Sequence, residues 1–222
     1  RLVADGLSRH GIDTSAAEWF ETGGMPVSSV LLSKQTGSRT ITHFRDLPEY
    51  PAAAFAALDL QPFDWLHFEG RNIDGIRQML ARVRQYAPQL RCSLEVEKPR
   101  QGIESLFSLV DVLLFSRHYA SSLGFTDPLA LLRQVHAECP GADLFCAWGE
   151  QGAAALDCAG NEYRQSAVIP AVVVDTLGAG DTFNAAVING YLEALDVDVS
   201  LARACQLAGN KCGQHGLDGL MD

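Results

Sequence analysis

Positive charge is scarce in this 222-residue sequence: 17 Lys and Arg stand against 27 Asp and Glu, a net charge of −10. Such a surface repels nucleic acid and anionic membrane, and no basic run offsets it, so neither is expected as a partner. No C-x-x-C occurs and no histidine pair has zinc-ligand spacing, which sets aside dithiol redox and structural-zinc chemistry. The six cysteines (Cys92, Cys139, Cys146, Cys158, Cys205 and Cys212) are scattered through apolar surroundings and read as buried free thiols of a reducing compartment. A secretory leader pattern and an apolar run of membrane-spanning length are both missing, so a cytoplasmic location is the expectation. There is no internal repeat, low-complexity tract or linker. An apolar fraction of 47% at this length suits one sizeable core.

What is present alternates. Residues 1–11 read as the end of a helix stopped by Gly11, with no initiator methionine. Residues 27–33 and 39–44 are strand-like and flank the turn signal Gln35-Thr36-Gly37-Ser38, a β-hairpin that, from the residues alone, could equally be an edge of the main sheet. Residues 64–68 form a strand, and Ile73, Ile76, Leu80, Val83 and Ala87 then space out as the apolar stripe of a helix. Strands at 91–97, 110–115 and 144–148 follow, with helical segments near 116–123 and 127–138. Residues 153–157 and 163–167 flank a turn at Gly160-Asn161. The alternation indicates an α/β fold, a mainly parallel sheet with helices on both faces. Trp19, Trp65 and Trp148 read as core or boundary residues.

The stretch Asp175-Thr-Leu-Gly-Ala-Gly-Asp-Thr-Phe-Asn184 stands out. It follows Val172-Val173-Val174, which reads as a buried strand, and opens a helix that continues toward Leu195. Gly178 and Gly180 permit backbone angles and close approaches that a side chain would block. The first turn of a helix presents unpaired N–H groups and the positive end of its dipole, a place for an anion. Phosphoryl transfer needs such a place: Gly178, Ala179 and Gly180 amides would meet the developing charge, and Asp181 would accept a hydroxyl proton. The plainer alternative is a glycine-rich turn with Asp181 as a dipole partner. The dinucleotide fingerprint fails because its third glycine would fall on Phe183, and no P-loop sequence occurs. Segments at 69–71, 97–98, 149–150 and 178–181 all lie at expected strand ends, where ligands sit in sheets of this kind.

Asp175-Thr176-Leu177-Gly178-Ala179-Gly180-Asp181 resembles the C-terminal signature of the ribokinase (PfkB) family of sugar kinases, and the chain is similar to the ketohexose-phosphorylating branch. Further matches are His67-Phe68-Glu69-Gly70-Arg71-Asn72, Glu95-Val96-Glu97-Lys98-Pro99-Arg100, Cys146-Ala147-Trp148-Gly149-Glu150-Gln151-Gly152-Ala153 and Cys212-Gly213-Gln214-His215-Gly216-Leu217-Asp218-Gly219. They follow the family's order and span nearly the whole chain. The resemblance implies a ribokinase-like three-layer αβα sandwich with a small β lid at 27–44, a homodimer, and ATP with Mg²⁺ as cofactors. It also implies a monovalent cation such as K⁺ near the Asp175–Asp181 turn, and conversion of D-fructose to fructose 1-phosphate. Family members carry upstream a strand with a sugar-binding aspartate and a Gly-Gly-Asn segment. Gly23-Gly24-Met25 is a different context, so residues 1–222 are expected to be one kinase domain lacking its N-terminal portion.

The resemblance also gives roles to residues that have plainer readings. Arg71, ordinarily a solvated loop arginine, would contact the nucleotide. Gly149, Glu150, Gln151 and Gly152, otherwise a tight turn, would run along it. Cys205 and Cys212, with Leu201 and Ala208 on one helical face that could simply be core, would line the adenine pocket. Glu95 and Glu97 could face Mg²⁺ or only solvent, and the metal ligands stay unassigned. The Asn-x-x-Glu motif of many relatives is absent; Ser116-Arg117-His118-Tyr119 stands in its place. The six histidines read as structural or exposed. Two alternatives stay open, a kinase for another sugar or a nucleoside and a nucleotide-binding protein without kinase activity.

Overall fold

The computed structural model describes residues 2–32 and 39–220. The Gln35–Ser38 turn signal lies outside the described residues. The chain divides into two compact units, Arg1–Leu58 and Asp59–Asp222. The first holds helix α1 (Leu2–Arg9), strands β1 (Val27–Leu32) and β2 (Arg39–Phe44) and the short helix α2 (Ala52–Ala56). β1 and β2 pair antiparallel in the register Val27↔Phe44 to Leu32↔Arg39, and the Ser28 hydroxyl meets His43 Nδ1 at 2.9 Å. Trp19, expected at a core or its boundary, is 68% exposed. Its unit buries few large side chains, so there is little apolar surface to receive an indole.

The second unit is built on a six-stranded sheet in the order β3 (Trp65–Glu69), β4 (Arg91–Val96), β5 (Val112–Ser116), β6 (Asp143–Ala147), β7 (Ala153–Leu156), β8 (Glu162–Gln165). β3 to β6 are parallel, and β7 and β8 complete the sheet antiparallel. Central strands covered on both faces lose the apolar–polar alternation: Val112, Leu113, Leu114 and Phe115 are all buried. Helix α3 (Ile73–Tyr86) starts where the Asn72 side chain accepts the Gly75 N–H, and it buries the stripe Ile76, Met79, Leu80 and Val83. After α4 (Arg117–Ser122), helix α5 (Pro128–Glu138) begins on an Asp127 cap with Pro128 at its first turn.

Helices α6 (Ala179–Leu192) and α7 (Val197–Cys212) pack on one face of the sheet. Phe183, Ala186, Val187, Leu201, Ala204 and Cys205 meet Val112, Leu114, Phe145, Ala153 and Ala155 there. The alternate residues of the same strands turn to the opposite face, so the unit has the three αβα layers expected. No described helix is long and apolar enough to cross a membrane. Cys92, Cys146 and Cys205 are buried, but Cys158 is exposed, in the connection between two short antiparallel strands where no layer covers it.

One strand expected from the sequence does not form. Val172, Val173 and Val174 are 68%, 57% and 40% exposed and lie in no strand. The sheet ends at β8, and the following segment instead runs over α7. A Cβ placed on Gly209 would lie 2.1 Å from the Val168 carbonyl oxygen, a contact only glycine allows. The Val174 and Asp175 N–H groups both donate to the Cys212 carbonyl, at 2.8 and 3.2 Å. The segment thus meets its hydrogen-bond demand at the end of a helix and needs no ladder. Gly209→Ala sets two effects against each other. Helix propensity favours alanine by about 1 kcal/mol, whereas overpacking costs about 1–3 kcal/mol and the clash here is with backbone. A net loss of stability is expected in urea unfolding; a gain would show that the segment moves aside freely.

Candidate active site

The parallel strands β3 to β6 bring their carboxyl ends to one edge, and the turn before α6 opens beside it. Gly178 caps α6 in the left-handed region at φ +81. Asp175 Oδ1 accepts the Leu177 N–H at 2.9 Å, and the Gly178 carbonyl accepts both the N–H and the hydroxyl of Thr182, at 2.9 and 2.8 Å. These bonds fix the turn from both sides. Asp181 lies exposed in the first helical turn. Of the three amides expected to meet a phosphoryl group, Ala179's donates to the Thr176 carbonyl at 3.3 Å, so Gly178 and Gly180 are left as the candidates.

Beneath the turn lies a residue the sequence reading passed over. Lys211, 1% exposed, directs its ammonium to the Asp175 carbonyl oxygen at 3.0 Å, Asp175 Oδ2 at 3.1 Å and the Gln214 carbonyl oxygen at 3.4 Å. A Cβ on Gly178 would sit 3.8 Å from Lys211 Cε and 4.0 Å from Asp181 Oδ2, so the lysine chain passes directly under the glycine. The Leu177 amide and then the ammonium hold the Asp175 carboxyl below the ordinary carboxylate range. The signal was legible: Lys211 is a lone charge on the stripe Leu201, Ala204, Ala208, Lys211, at helical spacing.

Facing Asp181 is Glu95 of β4, half-buried, whose Oε1 accepts the Asn184 Nδ2–H at 3.0 Å. Burial, and then the negative charges of Asp181, Glu69 and Glu97, push its carboxyl up to about 6, while the Asn184 hydrogen bond pulls it back. Arg71 is paired with Glu69 at 2.5 Å and Lys98 with Glu97 at 3.3 Å, so the cations of this edge already have carboxylate partners. Among the described residues no group of three or more His, Cys, Asp and Glu is arranged as a metal cage.

The remaining candidates separate. Gly149, Glu150 and Gln151 form a single helical turn after β6, with Glu150 bound to Arg117 at 2.9 Å and Arg117 lying over the Trp148 ring. Gly152 is buried at the start of β7, its carbonyl accepting the Trp148 N–H at 2.7 Å. Ser116, in place of the missing Asn-x-x-Glu asparagine, caps α4 by accepting the Tyr119 N–H. Cys212, at the end of α7, meets the turn through its carbonyl. Cys205, about 10 Å earlier along that helix, lies in the core against the sheet. The oxygens at the Asp175 turn that could have surrounded K⁺ already hold the Lys211 ammonium, so this spot does not fit a free ion.

Glu95 gives a pH test. Its folded carboxyl titrates at about 6 against an ordinary 4.5, so the folded state holds the proton more tightly. The stability this confers is fully present below 4.5 and is lost as pH rises through 6. Glu95→Gln, which keeps an acceptor for Asn184, is expected to match the parent in Tm at low pH and to exceed it above pH 6. Parallel Tm–pH curves would contradict the assignment.

Comparison with known proteins places these features in a group. The profile of the pfkB family carbohydrate kinases matches residues 1–221. Mouse (Mus musculus) ketohexokinase is 41% identical, the match covering 99% of this chain and 76% of the mouse protein. Among solved structures, a ribokinase II-type protein from E. coli in its apo form superposes with a TM-score of 0.82 at 18% identity, covering 99% of this chain and 76% of that one. A PfkB protein from Polaromonas sp. JS666 gives a TM-score of 0.78 at 20% identity, covering 100% and 77%. At such identities the two structures attest the fold alone.

Proposed function

This chain belongs to the pfkB family of carbohydrate kinases, and from that premise we propose that it transfers the γ-phosphoryl group of ATP to a ketohexose, forming fructose 1-phosphate from D-fructose. The observation that carries this reading is the exposed Asp181 carboxylate, seated in the first turn of α6 beside a glycine cap and opposite Glu95. The likeness to mouse ketohexokinase supports the choice of sugar.

Asp181 takes the proton of the sugar hydroxyl as its oxygen bonds to the γ-phosphorus; the bond from that phosphorus to the bridging oxygen breaks, and ADP leaves with the electron pair. The Gly178 and Gly180 amides and the positive end of the α6 dipole receive the charge on the transferred group. Mg²⁺ bound to the nucleotide would supply further neutralisation, with Glu95 the carboxylate that would hold it and Asp181 left to take the proton. Arg71, Gly149–Gly152 and Cys212 belong to the nucleotide side of this proposal. The β1–β2 hairpin serves as lid and as a homodimer contact, supported by the exposed Val27, Val30, Leu31 and Phe44. A cytoplasmic location suits six free cysteines, one of them exposed.

In the full-length protein a coupled ADP-release assay should favour fructose over ribose and nucleosides. Activity with a different preference would move the proposal to a sister kinase. No activity with any sugar would favour a nucleotide-binding protein without turnover. Asp181→Asn should lower kcat by about 10²–10⁴ while nucleotide affinity changes little; near-parental turnover would remove Asp181 as base.

A further inference from the structure

Lys211 is a cation that the mechanism above does not use. An ammonium taken out of water is expensive unless oxygens surround it, and here three do: the Asp175 carbonyl, the Asp175 carboxylate and the Gln214 carbonyl. Two of these oxygens belong to the residue that starts the Asp175–Asp181 turn. The third lies past the end of α7, whose Cys212 carbonyl anchors the approach to that turn. The lysine stem fills the space directly below Gly178, within van der Waals reach of where a side chain there would point. One amine therefore ties the approach to the turn, the turn itself and the chain after α7.

We propose that Lys211 is a positioning residue that acts as a built-in monovalent cation, its ammonium standing among oxygens that would otherwise call for a free ion and holding the Gly178–Asp181 turn in phosphoryl-accepting form. The role is distinct from phosphate contact. Lys211 is sealed from solvent, so it acts through Asp175 and the turn and does not touch substrate. A fixed charge on a covalent stem needs no ion to be captured from solution, and it cannot leave when the turn is loaded. The inference rests on the kinase reading of that turn.

The test removes the amine and offers it back. Lys211→Ala opens room for a small cation, and Lys211→Met keeps the bulk but not the charge. Both are assayed and melted in the full-length protein in choline chloride and in ammonium chloride. In choline, both variants should lose about tenfold or more in kcat, with the sugar KM changed little. Ammonium should restore the alanine variant to within about threefold of the parent and raise its Tm, and should leave the methionine variant unimproved, its side chain blocking the space. If the alanine variant fails to fold in choline, ammonium should return its far-UV circular dichroism; failure to do so overturns the proposal. So does parental kcat in either variant, or a loss in the alanine variant that ammonium does not relieve. Asp181→Asn run alongside separates the two claims. If it too keeps parental turnover, the kinase reading of the turn fails; if it alone is inactive, only the role of Lys211 falls.

Discussion

A charged amine sealed away from water constrains everything around it. The Lys211 ammonium must keep oxygen partners at all times, because losing one leaves a buried charge uncompensated, typically at a cost of about 3–5 kcal/mol. Its partners come from two separate stretches, Asp175 before α6 and Gln214 after α7. The beginning of one helix and the end of the next are thereby locked together. The position of Asp181 follows from that lock, since only five residues separate it from Asp175 and the Leu177–Asp175 and Thr182–Gly178 bonds fix those between. Core packing of α6 and α7 on the sheet sets where the helices lie, and the lysine sets how their ends meet.

Against this internal cation stands an acidic edge. Burial, and then the charges of Asp181, Glu69 and Glu97, raise the Glu95 carboxyl, and the basic side chains Arg71 and Lys98 that follow the same strands are engaged by carboxylates. A net charge of −10 extends the same sign over the surface. An anionic triphosphate approaches such an edge only with its charge reduced by a divalent ion and by backbone amides. Accumulated carboxylates and a glycine-capped helix end are thus parts of one solution. In the proposed reaction the carboxylates would favour the metal, and the amides the phosphoryl group.

Much of the architecture could be read from residue pattern because it obeys a period. The stripe Ile73, Ile76, Leu80, Val83 defines α3, and the continuous apolar run of β5 marks a strand covered on both faces. The glycine-rich turn, Asp181 and the start of α6 were visible in the same way, since glycine placement and a capping position are local matters. Three features escaped. Val172-Val173-Val174 carries strong β preference, but pairing depends on a free neighbouring edge, and this segment found helix α7 instead. Cys205 and Cys212 share a helical face, yet Cys205 is buried in the core and Cys212, at the helix end, is only half-buried. Burial along a helix depends on what packs there, which no single face reveals. Lys211 broke an apolar stripe and so was detectable as an anomaly, although its partners, one of them 36 residues away, could not be named without the fold.

The approach to the turn takes no part in the sheet, and this has a thermodynamic corollary. Val174 and Asp175 hang their amides on a single carbonyl at the last residue of α7, and Val168 rests on Gly209 of the same helix. Their protection from solvent exchange is therefore set by the fraying of that helix end. The β-ladder beneath can stay closed while these protons come and go, so the segment leading to Asp181 opens as part of the C-terminal helix and on its timescale.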